Sequence, residues 1–208
     1  MNRPIVIINL LLVLLLLSGC VGSDVRINEI MASNGETIVD EDGDYEDWIE
    51  LYNTGARSVN LRGYYLSDDE EDPLKWKFPE VIIEPGEFLL VWASAKNRTE
   101  GPLHTNFRIS RDGEPIILSR PNGKVADSVP PVTIPQDVSL GPIPDGGEEW
   151  FYLLTPTPGE GNEKSQGNTV ALEFPLESRG FPFALLAFSV LLVIFIPLIV
   201  VFYRRTRR

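Results

Sequence analysis

The chain of 208 residues has one cysteine and one histidine. A lone Cys20 excludes an internal disulfide framework and every multi-cysteine zinc or iron–sulfur site. A lone His104 excludes metal centres that need two or three imidazoles, and leaves nucleophilic chemistry a single candidate base. Helical periodicity is missing between the two ends of the chain, where no window shows apolar residues recurring at helical spacing. Positive charge is scarce there as well. Residues 1–20 and 181–208 contain no acid and hold five of the 18 basic residues, so 21–180 carries a net charge of −17. A surface this acidic repels phosphate backbones and argues against nucleic acid as a partner. It suits solubility, with cation binding or a basic partner as the alternatives.

What the chain does have begins at its ends. Arg3 precedes the apolar run Ile5–Leu17, followed by Ser18 and Gly19. Thirteen residues make a helix of roughly 20 Å, short for a hydrocarbon core of about 30 Å, so a cleavable export signal over 1–19 fits better than a span. The junction Leu17-Ser18-Gly19-Cys20 is similar to the lipobox of lipoprotein signal peptides. That resemblance implies cleavage before Cys20 and a diacylglycerol on its thiol. An ordinary signal peptide or an uncleaved anchor remains open.

Phe181–Tyr203 is 23 residues without a charge, followed by four arginines in the last five positions. At about 1.5 Å per residue the run reaches roughly 34 Å, enough to cross a membrane with some tilt. The basic tail 204–208 predicts a cytoplasmic C-terminus and an acidic head on the outside, a single-pass arrangement in the cell membrane. The layout also resembles C-terminal sorting signals, with Arg179-Gly180-Phe181-Pro182 where a cutting motif would stand, but it matches no defined signature, and permanent anchoring is the reading adopted.

Between the ends stand 17 glycines and 17 prolines counted over the whole chain, which suits many short strands. Val25 and Ile27 alternate with Arg26 and Asn28. In Asp47–Tyr52, Trp48, Glu50 and Tyr52 face one way and Ile49 and Leu51 the other. Phe88–Trp92 is continuously apolar, as expected of a strand buried on both faces. Further strands are predicted at 63–67, 74–78, 104–109, 114–119, 124–129, 137–141 and 149–153, separated by turn formers such as Asn53-Thr54-Gly55 and Pro121-Asn122-Gly123. Strands at this spacing predict an all-β, immunoglobulin-like antiparallel β-sandwich, here with a C-terminal transmembrane helix.

The order of these blocks is similar to the lamin-tail domain family. Ile27-Asn28-Glu29-Ile30-Met31-Ala32-Ser33-Asn34 resembles its opening strand. Then come Asp47–Asn53, Val59–Asp68, Lys75–Pro79, Gly86–Ser94 and Leu103–Phe107, and Thr157-Pro158-Gly159-Glu160-Gly161-Asn162 stands where such domains often close. The resemblance covers 25–162 and implies an immunoglobulin-like sandwich found in nuclear lamins and in exported prokaryotic proteins. It leaves 163–180 as a linker. No heptads are present, so filament formation is not implied.

Trp48, Trp76 and Trp92 are expected in the core with each indole N–H meeting a carbonyl; a sugar-stacking platform is the alternative. His104 is expected to be hydrogen-bonded structure. Asp40, Asp42 and Asp44 sit on alternate residues around Gly43 and are the candidate calcium ligands, although the segment is not an EF-hand and also reads as a solvated loop. No other cofactor is implied. Asp68–Asp72 reads as a charged hairpin tip that protects a sheet edge. Asn97-Arg98-Thr99 is a glycosylation sequon. No nucleophile–base pair or phosphate loop is evident, so no enzyme is expected. The sequence thus predicts a non-catalytic, membrane-anchored binding or scaffolding module for an envelope protein or polysaccharide. An accessory subunit of an exported hydrolase and a calcium-stabilised adhesion domain are the alternatives.

Overall fold

The computed structural model describes residues 24–165 and 167–172, which fall in one compact unit. The expected signal segment 1–19, Cys20, the stretch 181–203 and the tail 204–208 lie outside the described residues. Among the described residues no helix is long and apolar enough to cross a membrane.

Thirteen strands are present among the described residues: β1 (Val25–Met31), β2 (Trp48–Asn53), β3 (Val59–Asn60), β4 (Tyr65–Ser67), β5 (Trp76–Lys77), β6 (Ile82–Ile83), β7 (Phe88–Trp92), β8 (Leu103–His104), β9 (Ile116–Ser119), β10 (Val125–Val129), β11 (Ser139–Pro142), β12 (Trp150–Leu153) and β13 (Thr169–Leu172). One sheet runs β13-β12-β11-β1-β2-β7-β8 and a second runs β10-β9-β4-β5, with β3-β6 as a small separate pair. All pairings are antiparallel except β7 with β8, which is parallel. The expected strand 104–109 therefore shrinks to a two-residue pairing at a sheet edge.

The sheets close on a shared core. Ile30 pairs across with Leu140 and with Ile49, which pairs in turn with Val91, so this row faces one way. Ile30 and Leu140 line a common space with Ile116 and Val129 of the second sheet. Burying such side chains contributes about 1.5–3 kcal/mol each.

The opposite face of the large sheet, which would ordinarily meet water, is covered as well. Met31, Trp48 and Trp92 form a cluster there with Ile38 and Leu90 packed on it, so the 32–47 connection acts as a lid. This overturns one expectation. The strand buried on both faces is β2, whose Trp48–Leu51 are all fully buried, while Phe88, Leu89 and Leu90 of β7 keep partial exposure. Trp48, Trp76 and Trp92 are buried as expected, and so is Trp150. The indole N–H groups of Trp48 and Trp76, however, have no acceptor. Packing of these large rings outweighs the two missing bonds.

The acidic run Asp68–Asp72 does form the connection between antiparallel β4 and β5, with Lys75 pairing back to Asp68 at 2.6 Å. The sheet also extends beyond 162. A 3-10 turn at Asn162–Ser165 leads to β13, which pairs with β12 along four residues. The start of the expected linker 163–180 is therefore part of the sandwich.

Candidate functional site

Two polar clusters stand out on the covered face. The first is built on the loop between β1 and β2. Asn34 fixes that loop: its Nδ2 donates to the carbonyls of Ile38 and Glu46 at 2.7 and 2.9 Å, and its Oδ1 accepts the Thr37 amide. Asp40 turns the chain next, with Oδ1 accepting the amides of Asp42 and Asp44 at 2.9 and 3.0 Å, while Gly43 takes the left-handed φ of 85° that the turn requires. Its other oxygen meets the ammonium of Lys96. The same ammonium contacts Asp42 at 2.9 Å, Asp44 at 2.8 Å and, at 3.8 Å, Glu46.

The three aspartates proposed from sequence spacing are thus brought together, and Lys96 occupies their centre. Burial pushes the Asp40 carboxyl up, but Lys96 and the two amides outweigh it and hold it below its usual range. Arg98, reaching Glu41 at 2.6 Å and Asp42 at 2.7 Å, together with Lys96 depresses Asp42 to about 2. Asp40, Asp44 and Glu46 each have a carboxylate oxygen close enough to share an ion. A calcium ion there must displace Lys96, whose reach from the β7–β8 connection already supplies the positive charge.

Behind this cluster lies a pair that the sequence did not reveal. Ser94 Oγ is 2.8 Å from His104 Nδ1, and His104 Nε2 is 3.0 Å from Glu41. A neutral imidazole satisfies both contacts, with Nε2–H donating to Glu41 and Nδ1 accepting the Ser94 hydroxyl. The order serine–histidine–carboxylate resembles a hydrolytic relay, but Ser94 is 1% exposed and His104 fully buried, so no substrate reaches the hydroxyl. The relay instead pins the acidic loop to the end of β7 and to β8. Ser94→Ala leaves Nδ1 buried without a donor, and is expected to lower stability by about 1–2 kcal/mol in urea unfolding.

The second cluster is deeper. Glu29 of β1 and Glu50 of β2 are direct cross-strand partners, and both are fully buried. Glu29 Oε1 accepts the Thr157 amide at 2.9 Å and the Ser139 hydroxyl. Glu50 accepts the Gly159 amide at 2.5 Å and Asn28 Nδ2 at 3.5 Å. Asn28 Nδ2 also donates to Asp145, which takes the Asn162 amide at 2.9 Å. Asn162 Nδ2 gives its two protons to the carbonyls of Asn28 and Pro142, each at 2.9 Å. Burial raises Glu29 to about 7 against the opposing bonds from Ser139 and Thr157, and raises Glu50 to about 8 with Glu29 adding to the effect. The segment Thr157–Asn162 is therefore a strap across β1 and β2.

The lamin tail domain family model matches residues 21–133. The chain belongs to the lamin tail domain family. The match takes in β1 to β10, both carboxylates of the buried pair and the whole Asp40–Lys96 cluster. The strap and β11 to β13 lie beyond it, yet they complete the large sheet and cover the lamin tail domain's buried glutamates. No curated protein matches the chain.

Proposed function

We propose that this lamin tail domain is a non-catalytic binding or scaffolding module displayed on the outer side of a cell membrane. Membership of a generally non-catalytic, immunoglobulin-like family supports the first half of the reading. The observation that carries the second half is the uncharged stretch 181–203 ahead of four arginines, opposite an export-like N-terminus. The sandwich closes both faces of its large sheet around β2, so contact with an envelope protein or polysaccharide falls to its edges and loops rather than to a cleft.

The test is protease added to intact and to permeabilised cells. The reading expects the head to be digested in both, with the tail protected until permeabilisation. A head that survives on intact cells but is cut after permeabilisation overturns it. Intact mass of the mature protein reports in the same experiment whether Cys20 carries the diacylglycerol that its lipobox-like setting implies.

A further inference from the structure

The hydrogen-bond count around Thr157 does not close with ionised carboxylates. Thr157 Oγ1 lies 3.0 Å from Glu29 Oε2 and 3.0 Å from Asn162 Oδ1. A hydroxyl has one proton to give. Asn162 cannot supply the second, because both protons of its Nδ2 are given to Asn28 and Pro142, which fixes Oδ1 as the acceptor. The arrangement closes when Glu29 is a carboxylic acid: its O–H donates to Thr157 Oγ1, and the Thr157 O–H donates to Asn162.

The surroundings agree. Glu50 faces Glu29 from β2, and Asp145 comes from the turn after β11, with Glu163 of the 3-10 turn beside Asp145. Ser139 of β11, Asn28 of β1 and the strap residues Thr157 and Asn162 are neutral. Among the described residues no Lys, Arg or His pairs with Glu29, Glu50 or Asp145. Two anions directly opposite one another on adjacent strands repel, and buried ones have no water to screen them.

We infer that the proton on Glu29 is a clasp that holds the Thr157–Asn162 strap against the large sheet, and that its loss to solvent opens the strap while the two-sheet core stays folded. Once Glu29 ionises, the single Thr157 proton serves either Glu29 or Asn162, and the other oxygen is stranded beside a new negative charge. The strap is the piece able to move, since it is attached through the Thr157 and Gly159 amides to the two glutamates and through Asn162 at its far end rather than through a continuous ladder. The raised affinity of Glu29 for its proton places the opening near neutral pH. This device is independent of the partner bound at the surface.

The experiment is amide hydrogen exchange on the full chain in detergent micelles, corrected for intrinsic rates, at pH 5.5 and 8.5. The Thr157 and Gly159 amides are expected to exchange at least about tenfold faster relative to β9 amides at the higher pH. Glu29→Gln mimics the acid, because its Nε2 donates to Thr157 Oγ1 and its Oε1 still accepts, so this variant is expected to lose most of that difference. Equal strap-to-core ratios at both pH values in the wild type overturn the inference. So does a Glu29→Gln protein with the wild-type pH response. If Glu29→Gln fails to fold, the wild-type ratio alone decides.

Discussion

Raising the pH from 5 to 9 is expected to destabilise this lamin tail domain by on the order of 3–5 kcal/mol, a loss of roughly 10 °C or more in melting temperature. The sign follows from which state holds more protons. Glu29 and Glu50 titrate near 4.5 when unfolded and at about 7 and 8 when folded, and burial likewise raises Asp47 from 3.8 to about 6. Between those limits the folded chain binds more protons than the unfolded one, so the stability present at pH 4.5 is lost as pH climbs through the folded values. The opposite set works at the acid end. Asp40 and Asp42 are held low by Lys96, Arg98 and the turn amides, and Glu41, against the burial that raises it, by its own backbone amide, His104 and Arg98, so their contribution is present above about pH 4.5 and lost as pH falls below it. Stability should therefore peak near pH 5 rather than at neutrality. Thermal unfolding across pH 3 to 9 checks this, and a curve that rises from 5 to 8 would contradict the protonated pair. Replacing both glutamates by glutamine should flatten the alkaline limb while leaving the acid limb in place.

The same glutamates show what could be read from the chain and what could not. Both stand in the blocks that gave the family resemblance, Ile27–Asn34 and Asp47–Asn53, and the period-two pattern placed Glu50 with Trp48 and Tyr52 on one face. That face was legible as a face. Its covering was not, because a strand's own pattern cannot say that a segment more than a hundred residues later folds over it. Thr157–Asn162 was visible as a closing motif, and its task as cap of two carboxyl groups emerged only when the distances were known. Thr169–Leu172 has the composition of a strand, but Gly167 and Asn168 before it read as linker, and its pairing with β12 rests on a partner sixteen or more residues away. The acidic loop teaches the complementary lesson. Alternate aspartates around a glycine suggest convergent oxygens, and in the fold Asp40, Asp42 and Asp44 all reach one ammonium, while the oxygens close enough to share an ion are those of Asp40, Asp44 and Glu46. The spacing does not indicate what converges on them, and a lysine 52 to 56 residues downstream does so here. His104 was expected to be hydrogen-bonded, but its partners Ser94 and Glu41 escaped notice for the same reason, since Glu41 lies 63 residues from the imidazole it orients.

That lysine is the basis of the second large effect. Lys96→Met keeps the aliphatic stem and removes the ammonium from among Asp40, Asp42, Asp44 and Glu46. Removing one partner of a fully buried pair costs about 3–5 kcal/mol. The Asp40 side chain is fully buried but that of Asp44 is 60% exposed, so water screens part of the cluster and about 2–3 kcal/mol is expected. The loss should grow as pH rises from 3 to 5, when the abandoned carboxyl groups ionise against one another. The variant also separates the two accounts of the loop. With Lys96 in place, millimolar calcium is expected to leave the melting temperature unchanged, since the ion must evict an ammonium held by three carboxylates. In Lys96→Met the same oxygens are freed, and calcium should restore stability in a concentration-dependent way. A wild-type domain that gains stability from calcium would show the opposite, that the ammonium yields its place readily and that the loop is built for a metal. A Lys96→Met domain as stable as the wild type would show that solvent already screens the four acids, leaving the Asn34 and Asp40 turn bonds to hold the loop by themselves.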